Sequence, residues 1–487
     1  MSTALDTAVL ATPVALAVEL ARLRSAELPV DVRKNLGQYF TPVEIAQFMA
    51  GLCSVRKPEI DIMDPGAGTG ILSAALCVEL ARCASPPRAL RLVLYEVDGS
   101  LCAALRSVCD QTHKLLEEMG IGFDYEVRQT DFILDVAGNG AERGRSSHDV
   151  IITNPPYFKI GKDDPRARVL AEVCHGQPNI YGLFLALSAE ILRPGGQLIS
   201  ITPRSFASGD YFRGVRQALF RCVTPDRFHL FETRSQAFRA DSVLQENVIA
   251  RFSASPSTGS DRQVAITCST GLDDLGEQSA VLVGLGDIVD LSSNALTMVL
   301  PTTESERRLL RRMRRHDHTL QSLGCQINTG RIVAFRCRDI LKTEPTGNGV
   351  HVPMLWLHNV RPMEVVWPAG NGSKPQYVLA VEASRKLLLE RGNYVLVRRF
   401  SAKEDRSRIV AAPLTDDAFE DDLVGIENHL NVIVLPDGRA SQAACKELAE
   451  YLNSADVDTY FRISNGNTQI NASELKALPV PELKHLG

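Results

Sequence analysis

Short apolar runs alternate with longer helical patterns between residues 36 and 252, and this alternation constrains the fold of the 487-residue chain more than any other feature. Parallel strands need crossover connections, and helices on both faces of a sheet produce such an alternation. We therefore predict an α/β fold built on a parallel sheet. The predicted strands are 60–63, 90–95, 125–128, 150–153, 197–201, 228–231 and 248–252, and the predicted helices are 71–82, 99–119 and 181–192.

The composition is that of a soluble globular protein, with 45% hydrophobic and 23% charged residues. The 11 cysteines include no Cys-x-x-Cys pair, so we predict neither a disulfide framework nor a zinc site, and a cytoplasmic setting fits best. Residues 7–23 are apolar but include Glu19 and Arg22 and lack a basic region before them. This stretch predicts an amphipathic helix rather than a signal peptide or a membrane span.

The alternation ends at Phe252, and the small residues of 253–260 are typical of a surface connection. Thr41, Pro42 and Glu44 have the spacing of a capping box, which predicts Thr41 as the N-cap of a helix. We expect four parts, namely an N-terminal helical extension at 1–33, a first domain at 34–255, a connecting segment at 256–300 and a domain of mixed α+β character at 301–487.

Arginines are concentrated in two stretches, although the formal net charge is −5. Six of them fall between residues 307 and 315 at helical spacing, which fits either a solvated helix face or a nucleic-acid surface. In the second stretch, aromatic side chains alternate with cations, and this mixture favours a surface that follows phosphates. The second stretch comprises Tyr394, Arg398, Arg399, Phe400, Lys403, Arg406 and Arg408.

A glycine-rich loop, Asp64 to Gly70, follows the first predicted strand and opens a helix. Its glycines permit a tight turn and the close approach of a ligand to the helix N-terminus. The acid at its start suits a ligand with an amine or a sulfonium better than a pyrophosphate. Glu96 ends the second strand, where a carboxylate can accept both hydroxyls of a ribose. Asp131 and Phe132 follow the third strand, where they can contact an adenine, although each acid alone could be a strand-end cap.

The turn Asn154-Pro155-Pro156-Tyr157 follows the fourth predicted strand. Its two prolines fix φ and remove two backbone donors, while the carbonyls remain acceptors. Asn154 adds a side-chain acceptor and Tyr157 adds a flat ring. The turn therefore predicts a site for a planar amino group, although a strand-ending turn without chemistry can have the same residues.

The order of these motifs resembles the gamma-class adenine-specific DNA methyltransferases of type II restriction-modification systems, the TaqI-like and PstI-like group. The resemblance spans 34–255 and includes the segment 34–42 and the Leu-Arg-Pro-Gly-Gly motif at 192–196. It implies a Rossmann-like methyltransferase domain that uses S-adenosylmethionine and needs no metal. Motifs after residue 300 are similar to the PstI-like target-recognition domain, and they lie at 328–331, 398–404, 427–431, 467–471 and 478–481.

The resemblance also implies roles for individual residues. Those implied to contact the cofactor are Thr41, Asp64, Pro65, Gly66, Ala67, Gly68, Glu96, Asp131 and Phe132, with Pro156 between cofactor and target. Asn154 and Pro155 would accept the amine protons of a flipped adenine, and Tyr157 would stack on its ring. Phe252 matches a second aromatic of the family or else belongs to the core. The residues implied to contact DNA are Arg398, Arg399 and Lys403.

The implied activity is site-specific methyl transfer to adenine N6 in double-stranded DNA. It would protect that site from a cognate restriction endonuclease on a separate chain. RNA, a protein glutamine and the N4 amine of cytosine remain open as acceptors, because the turn can bind several planar amines. A catalytically inactive nucleic-acid specificity protein also remains open.

Overall fold

A computed structural model describes residues 12–27, 40–138, 147–174, 178–232, 246–255, 262–276, 279–345, 349–368, 374–401, 405–436, 440–464 and 469–485. The chain divides into two compact units, Met1–Thr302 and Thr303–Gly487. No helix in these described ranges is long and apolar enough to cross a membrane.

The first unit is built on a sheet to which its described residues contribute nine strands, in the order β3-β2-β1-β4-β5-β7-β6-β8-β9. Neighbours from β3 to β5 are parallel, and β7 lies antiparallel between β5 and β6. This arrangement is Rossmann-like. The strands are β1 (Glu59–Pro65), β2 (Ala89–Tyr95), β3 (Gly122–Arg128), β4 (His148–Thr153), β5 (Leu192–Pro203), β6 (Thr224–Phe231), β7 (Asn247–Ser253), β8 (Gln263–Ser269) and β9 (Val281–Gly284).

Helices cover both faces of this sheet, as the alternation predicts. In β4, Val150 and Ile152 pack into the core on one face and Ile151 packs into the core on the other. Because both faces are covered, the strand must be apolar throughout rather than on alternate residues. The helices are Pro13–Glu27, Val43–Gly51, Ile71–Arg82, Gly99–Glu118, Pro165–Val169, Ile180–Glu190, Arg213–Cys222 and Leu285–Ile288, with short 3₁₀ or π turns at Leu134–Gly138, Arg204–Ala207 and Asp210–Phe212.

The structure confirms all the predicted strands and helices of the first domain, with small differences at their ends. The predicted connecting segment 256–300 is wrong, because β8 and β9 extend the sheet within it. β8 pairs parallel with β6, and its Val264 and Ile266 are fully buried. A single short strand between polar stretches has too weak a pattern to be separated from a loop by sequence alone.

The second unit has the mixed α+β character that the sequence predicts. A four-stranded sheet has the order β11-β21-β18-β19, and a five-stranded sheet has the order β12-β16-β13-β20-β17. The strands are β10 (His318–Thr319), β11 (Gln326–Thr329), β12 (Leu341–Lys342), β13 (His351–Leu355), β14 (Val360–Arg361), β15 (Glu364–Val365), β16 (Tyr377–Leu379), β17 (Leu388–Glu390), β18 (Tyr394–Arg398), β19 (Ala411–Leu414), β20 (Leu423–Ile426), β21 (Leu430–Val434) and β22 (Pro479–Val480). The helices are Glu304–Met313, Glu382–Arg385, Gln442–Leu452, Ala455–Ser464 and Ala472–Lys476, with 3₁₀ turns at Ala334–Arg336, Arg338–Ile340 and Leu357–Asn359.

The first arginine-rich stretch forms the helix Glu304–Met313, which begins with a capping box of Thr303 and Glu306. Arg307 pairs with Glu304 at 2.7 Å, and Arg312 pairs with Asp456 at 2.5 Å. The apolar side of the helix is buried. Both interpretations of this stretch therefore stay open.

Candidate active site

A cavity of about 460 Å³ opens at the carboxyl edge of the sheet in the first unit. The chain passes from β1 to β2 and β3 on one side and from β4 to β5 on the other, so the strand order reverses between β1 and β4. Such a switch point leaves a crevice in which open α/β sheets bind ligands. The predicted site residues that line it are Gly66, Gly68, Glu96, Asp131, Phe132, Asn154 and Pro156, while those that lie buried behind the lining are Thr41, Asp64, Pro65, Ala67, Pro155 and Tyr157.

The glycine loop folds back on the end of β2, because the backbone N–H groups of Gly66 and Ala67 both donate to the Tyr95 carbonyl at 2.9 Å. Gly66 has a φ of +78°, a conformation that other residues adopt only with strain. A Cβ added there would lie 3.6 Å from Phe184 Cε1 and 3.9 Å from the Asn154 carbonyl oxygen. These are ordinary van der Waals distances, so the positive φ rather than crowding favours glycine at this position.

Asp64 lies behind this loop with its side chain fully buried. The Ser73 hydroxyl donates a short hydrogen bond to its Oδ2, and its Oδ1 has no partner among the described residues. Burial raises the pKa of Asp64 to about 7; hydrogen bonds from Ser73 oppose the shift, and the Glu96 carboxylate adds to it. The loop therefore has an unpaired acceptor beneath it that a cation would stabilise.

Glu96 follows β2 and faces the cavity with both carboxylate oxygens oriented by backbone groups. Its Oε2 accepts from the Gly68 N–H at 2.9 Å, and its Oε1 accepts from the Asp98 N–H at 2.9 Å. Burial raises its pKa, and these hydrogen bonds oppose the shift. Each oxygen retains a further lone pair for a ligand hydroxyl.

Asp131 divides its two oxygens between the fold and the cavity. Its Oδ1 accepts from the Ile133 and Leu134 N–H groups at 2.9 and 3.0 Å, as a cap of the following turn. Its Oδ2 lies 3.6 Å from Nη1 of Arg166, which also forms a two-point ion pair with Asp164 at 2.7 and 2.8 Å. Asp131, which the sequence predicts to contact an adenine, is thus held beside the Arg166 guanidinium. The sequence did not predict that Arg166 belongs to this site.

The rings around the cavity form an apolar wall. The Phe132 ring lies 5.3 Å from the Tyr95 ring and 5.1 Å from the Phe184 ring, measured between centroids. Phe40 and Phe158 also line the cavity. Such a wall suits a flat, partly apolar ligand.

Asn154 has both ends of its side-chain amide bonded. Its Nδ2 donates to the Thr41 hydroxyl at 3.0 Å, and its Oδ1 accepts from the Tyr157 hydroxyl at 2.6 Å. The same tyrosine oxygen is 2.9 Å from the Ile201 carbonyl oxygen in β5. The prediction that Thr41 caps a helix is wrong, because the helix begins at Val43 and the Thr41 hydroxyl bonds Asn154 instead.

The two aromatic residues predicted to contact the target base are both buried. Tyr157 is 7% exposed, and its ring packs edge-to-face on Tyr181 at 5.9 Å. Its stacking role stays a prediction. Phe252 is 1% exposed and packs edge-to-face on Phe228 at 5.9 Å. Its position in β7 points it into the core, which is the alternative that the sequence left open, and its role at the target base stays a prediction.

Sequence reasoning missed several lining residues, including Phe40, Phe158, Arg166 and Phe184. Phe40 directly precedes Thr41 and Phe158 directly follows Tyr157. Their places beside predicted site residues could have identified both as lining residues. Arg166 lies in a helix with the sequence of a surface helix, and Phe184 lies in a helix with the sequence of a core helix. No local sequence signal marks either residue as part of a site.

In the second unit, the predicted DNA-contacting arginines bond to their own unit. The Arg398 Nε donates to the Val360 carbonyl at 2.7 Å. Arg399 donates to the Asn428 carbonyl and to Gln469 Oε1, both at 3.3 Å. Lys403 lies outside the described residues. The DNA role of these residues stays a prediction.

All 11 cysteines are free thiols. Among the described residues, no group of three or more His, Cys, Asp and Glu side chains could hold a metal ion.

Comparisons with known proteins give matches to a protein family, to individual sequences and to solved structures. The Eco57I restriction-modification methylase family matches residues 107–238. The type II methyltransferase M.PstI of Providencia stuartii is 31% identical over 97% of this chain and 93% of its own. The type II methyltransferase M.BsuBI of Bacillus subtilis is 33% identical over 92% of this chain and 88% of its own. The solved type IIG restriction endonuclease BpuSI is 14% identical, with a TM-score of 0.46 over 97% of this chain and 61% of its own.

Proposed function

Because this chain belongs to the type II methyltransferases of restriction-modification systems, we propose that it transfers a methyl group from S-adenosylmethionine to the N6 amine of an adenine in double-stranded DNA. The observation that carries the proposal is the position of the Asn154 amide on the same cavity as the glycine loop and Glu96. An acceptor for an amine and a pocket for a methyl donor thus share one crevice.

The residues around the cavity fit S-adenosylmethionine. Gly66 lines the cavity, so a ligand can approach its backbone, and Glu96 has lone pairs for two ribose hydroxyls. The ring of Phe132 and the Oδ2 of Asp131 suit an adenine, and the unpaired Oδ1 of Asp64 favours a cationic ligand above it. When bound, this group supplies an electrophilic methyl on a sulfonium.

The protein's part in the reaction is to orient the amine. The lone pair of an adenine amino nitrogen is delocalised into the ring, so the nitrogen is a poor nucleophile. If Asn154 Oδ1 and the Pro155 carbonyl oxygen each accept one hydrogen bond from the amine, the nitrogen becomes pyramidal and its lone pair can point at the methyl group. A carbonyl oxygen has two lone pairs, so Oδ1 can hold the Tyr157 hydroxyl and the amine at the same time.

A base inside a duplex cannot reach this cavity, so the target must be extruded at a cost of roughly a few kcal/mol. Stacking on Tyr157 would offset part of that cost. Because the Tyr157 ring is 7% exposed here, stacking requires the side chains that cover it to move when DNA binds.

The second unit supplies the sequence reading in this proposal, and Arg398, Arg399 and Lys403 contact DNA phosphates. Methylation of its site protects the host sequence from a restriction endonuclease on a separate chain. Support comes from the curated relatives, which match both units of this chain and are named type II methyltransferases.

The test is methylation of genomic DNA by the purified protein with labelled S-adenosylmethionine, followed by mass spectrometry of the nucleosides and sequencing of modified positions. We expect N6-methyladenine at one short sequence. Asn154→Ala should lower the rate at least ~1000-fold without weakening calorimetric binding of the cofactor, because it removes an acceptor of the amine. Gln217→Ala is the matched control, since this amide donates to the Asn294 carbonyl at an exposed position. Methylated cytosine, methylated RNA alone or unmodified DNA would contradict the proposal.

A further inference from the structure

A buried amide without partners lies at the same edge of the sheet as the Asn154 turn. Asn247 begins β7 and is 2% exposed. Neither its Oδ1 nor its Nδ2 has a hydrogen-bond partner, and no other described residue has two such buried atoms. Unpaired buried polar groups destabilise a fold, so two of them on one side chain favour a functional role for that residue.

Asn247 faces the side of the sheet that the helix Val43–Gly51 covers. Side chains alternate along a strand, so Asn247, Ile249 and Arg251 share one face. Ile249 packs into the core cluster that contains this helix, and Arg251 donates to the Leu52 carbonyl just after the helix at 2.9 Å.

The start of this helix lies level with Asn247. Arg251 lies four residues after Asn247 in the strand, a distance of about 13 Å. The helix from residue 43 to Leu52 is about 14 Å long. Since Leu52 lies beside Arg251, the other end of the helix reaches the carboxyl edge of the sheet, where Thr41 bonds Asn154.

The two asparagines are separated by two strand spacings. β4, β5 and β7 are successive neighbours in the sheet, and the register sets Thr153 level with Ala250, three residues from Asn247, so about 14 Å separates the end of β4 from the start of β7. Two asparagine side chains with one planar base between them can span that distance.

Rigid contacts hold Asn247 in place. The preceding residue, Glu246, forms a buried ion pair with Arg204 at 2.7 Å, and the Arg204 N–H donates to the Glu246 carbonyl at 2.7 Å. β5 is joined to the turn through the Tyr157 hydroxyl and the Ile201 carbonyl. The ion pair and the backbone hydrogen bond together fix the backbone beside Asn247.

We propose, on the basis of the function proposed above, that Asn247 binds the extruded base, with its Nδ2 donating to a ring nitrogen beside the amine. Adenine has ring nitrogens on both sides of its amino group, N1 and N7, and both accept hydrogen bonds. An amide can supply the donor that they need. Asn154 then holds the amine and Asn247 holds the ring, so the base cannot rotate within the pocket.

The test uses duplexes of the methylated sequence in which 1-deazaadenine or 7-deazaadenine replaces the target adenine. Each analogue lacks one of the two ring nitrogens. Wild-type protein should have a kcat/KM at least ~10-fold lower on one analogue than on adenine. Asn247→Leu should lose at least ~10-fold on adenine and show no further loss on that analogue. Its melting temperature should rise by a few degrees, because leucine leaves no buried polar group unpaired. A purely structural asparagine would not combine greater stability with lower activity.

Ser188→Ala is the matched control, since this fully buried hydroxyl in the helix Ile180–Glu190 also lacks a partner and lies within the core. Its kcat/KM should equal that of the wild type. Asn247→Ala serves as a second variant if Asn247→Leu does not fold. The comparison of the two analogues with adenine uses wild-type protein and therefore depends on no variant. The inference is overturned if neither analogue is penalised, if the penalty persists in Asn247→Leu, or if that variant keeps wild-type activity. Wild-type protein that fails on adenine itself refutes the proposed function instead.

Discussion

Asp64 makes the stability of this protein depend on pH. Burial raises its pKa from 3.8 to about 7 in the folded state. Between these two values the folded protein keeps a proton that the unfolded chain releases. Because the folded state binds more protons there, the free energy of unfolding falls as pH rises from about 4 to about 7, and it is constant with respect to this group above that range.

The magnitude follows from the shift. Each pH unit between the two pKa values changes stability by about 1.4 kcal/mol. The interval from 3.8 to about 7 spans about three units and so corresponds to about 4 kcal/mol. Asp64→Asn removes the titration. The Ser73 hydroxyl can still donate to the amide oxygen, but the new amide nitrogen is left unpaired at a cost of about 1–3 kcal/mol at every pH.

Urea unfolding of wild type and Asp64→Asn at pH 5, 6, 7 and 8 measures this effect. The variant should gain about 2 kcal/mol relative to wild type between pH 5 and pH 7, and less than about 0.5 kcal/mol from pH 7 to pH 8, where the titration ends. Subtracting the two profiles cancels the titration of other groups. A difference that stays constant from pH 5 to pH 8 would refute the reasoning.

Two further sets of variants test the loop and the core. Gly66→Ala should lower the free energy of unfolding by about 1–2 kcal/mol, because Gly66 has a positive φ. It should also weaken the binding of S-adenosylmethionine measured by calorimetry, since Gly66 lines the cavity. Gly70→Ala should lower the free energy of unfolding, measured in urea, by about 1–3 kcal/mol more than Gly66→Ala does, because its Cβ would lie 2.5 Å from Leu105 Cδ1. If Gly66→Ala is the less stable of the two variants, this reasoning is contradicted. Phe252→Ala should lose about 3–5 kcal/mol because it leaves a cavity beside Phe228, while kcat of the folded protein at low temperature is kept. A selective loss of kcat would support its role at the target base.

The main elements of the first unit could be predicted because their strands are buried on both faces. All six residues of β4 are buried, and a short continuous apolar run bounded by turn residues is typical of a strand covered on both sides. β9 could not be predicted in the same way, since Val283 is the one fully buried residue of its four and so short a run matches the pattern of a loop.

The site was predictable where chemistry follows a strand end, and less so where it depends on tertiary contacts. The positions of Glu96 and Asn154 follow from the carboxyl edge of a parallel sheet. The hydrogen-bond partner of Thr41 could not be predicted in this way. Its hydroxyl could cap the following helix or bond to Asn154, and the sequence pattern shows only the first of these. Arg166 belongs to a five-residue helix, and only the folded chain brings it to Asp131.

The hydrogen bond between Asn154 and Thr41 also has a consequence for how activity is acquired during folding. It joins residues 113 positions apart, and the Tyr157 hydroxyl reaches Ile201, 44 positions further along. Contacts so distant in the chain form late, because a long loop must close before they contribute stability. We therefore expect a nascent or partly unfolded molecule to lack an oriented amide at position 154, and the proposed methyl transfer to require the complete fold.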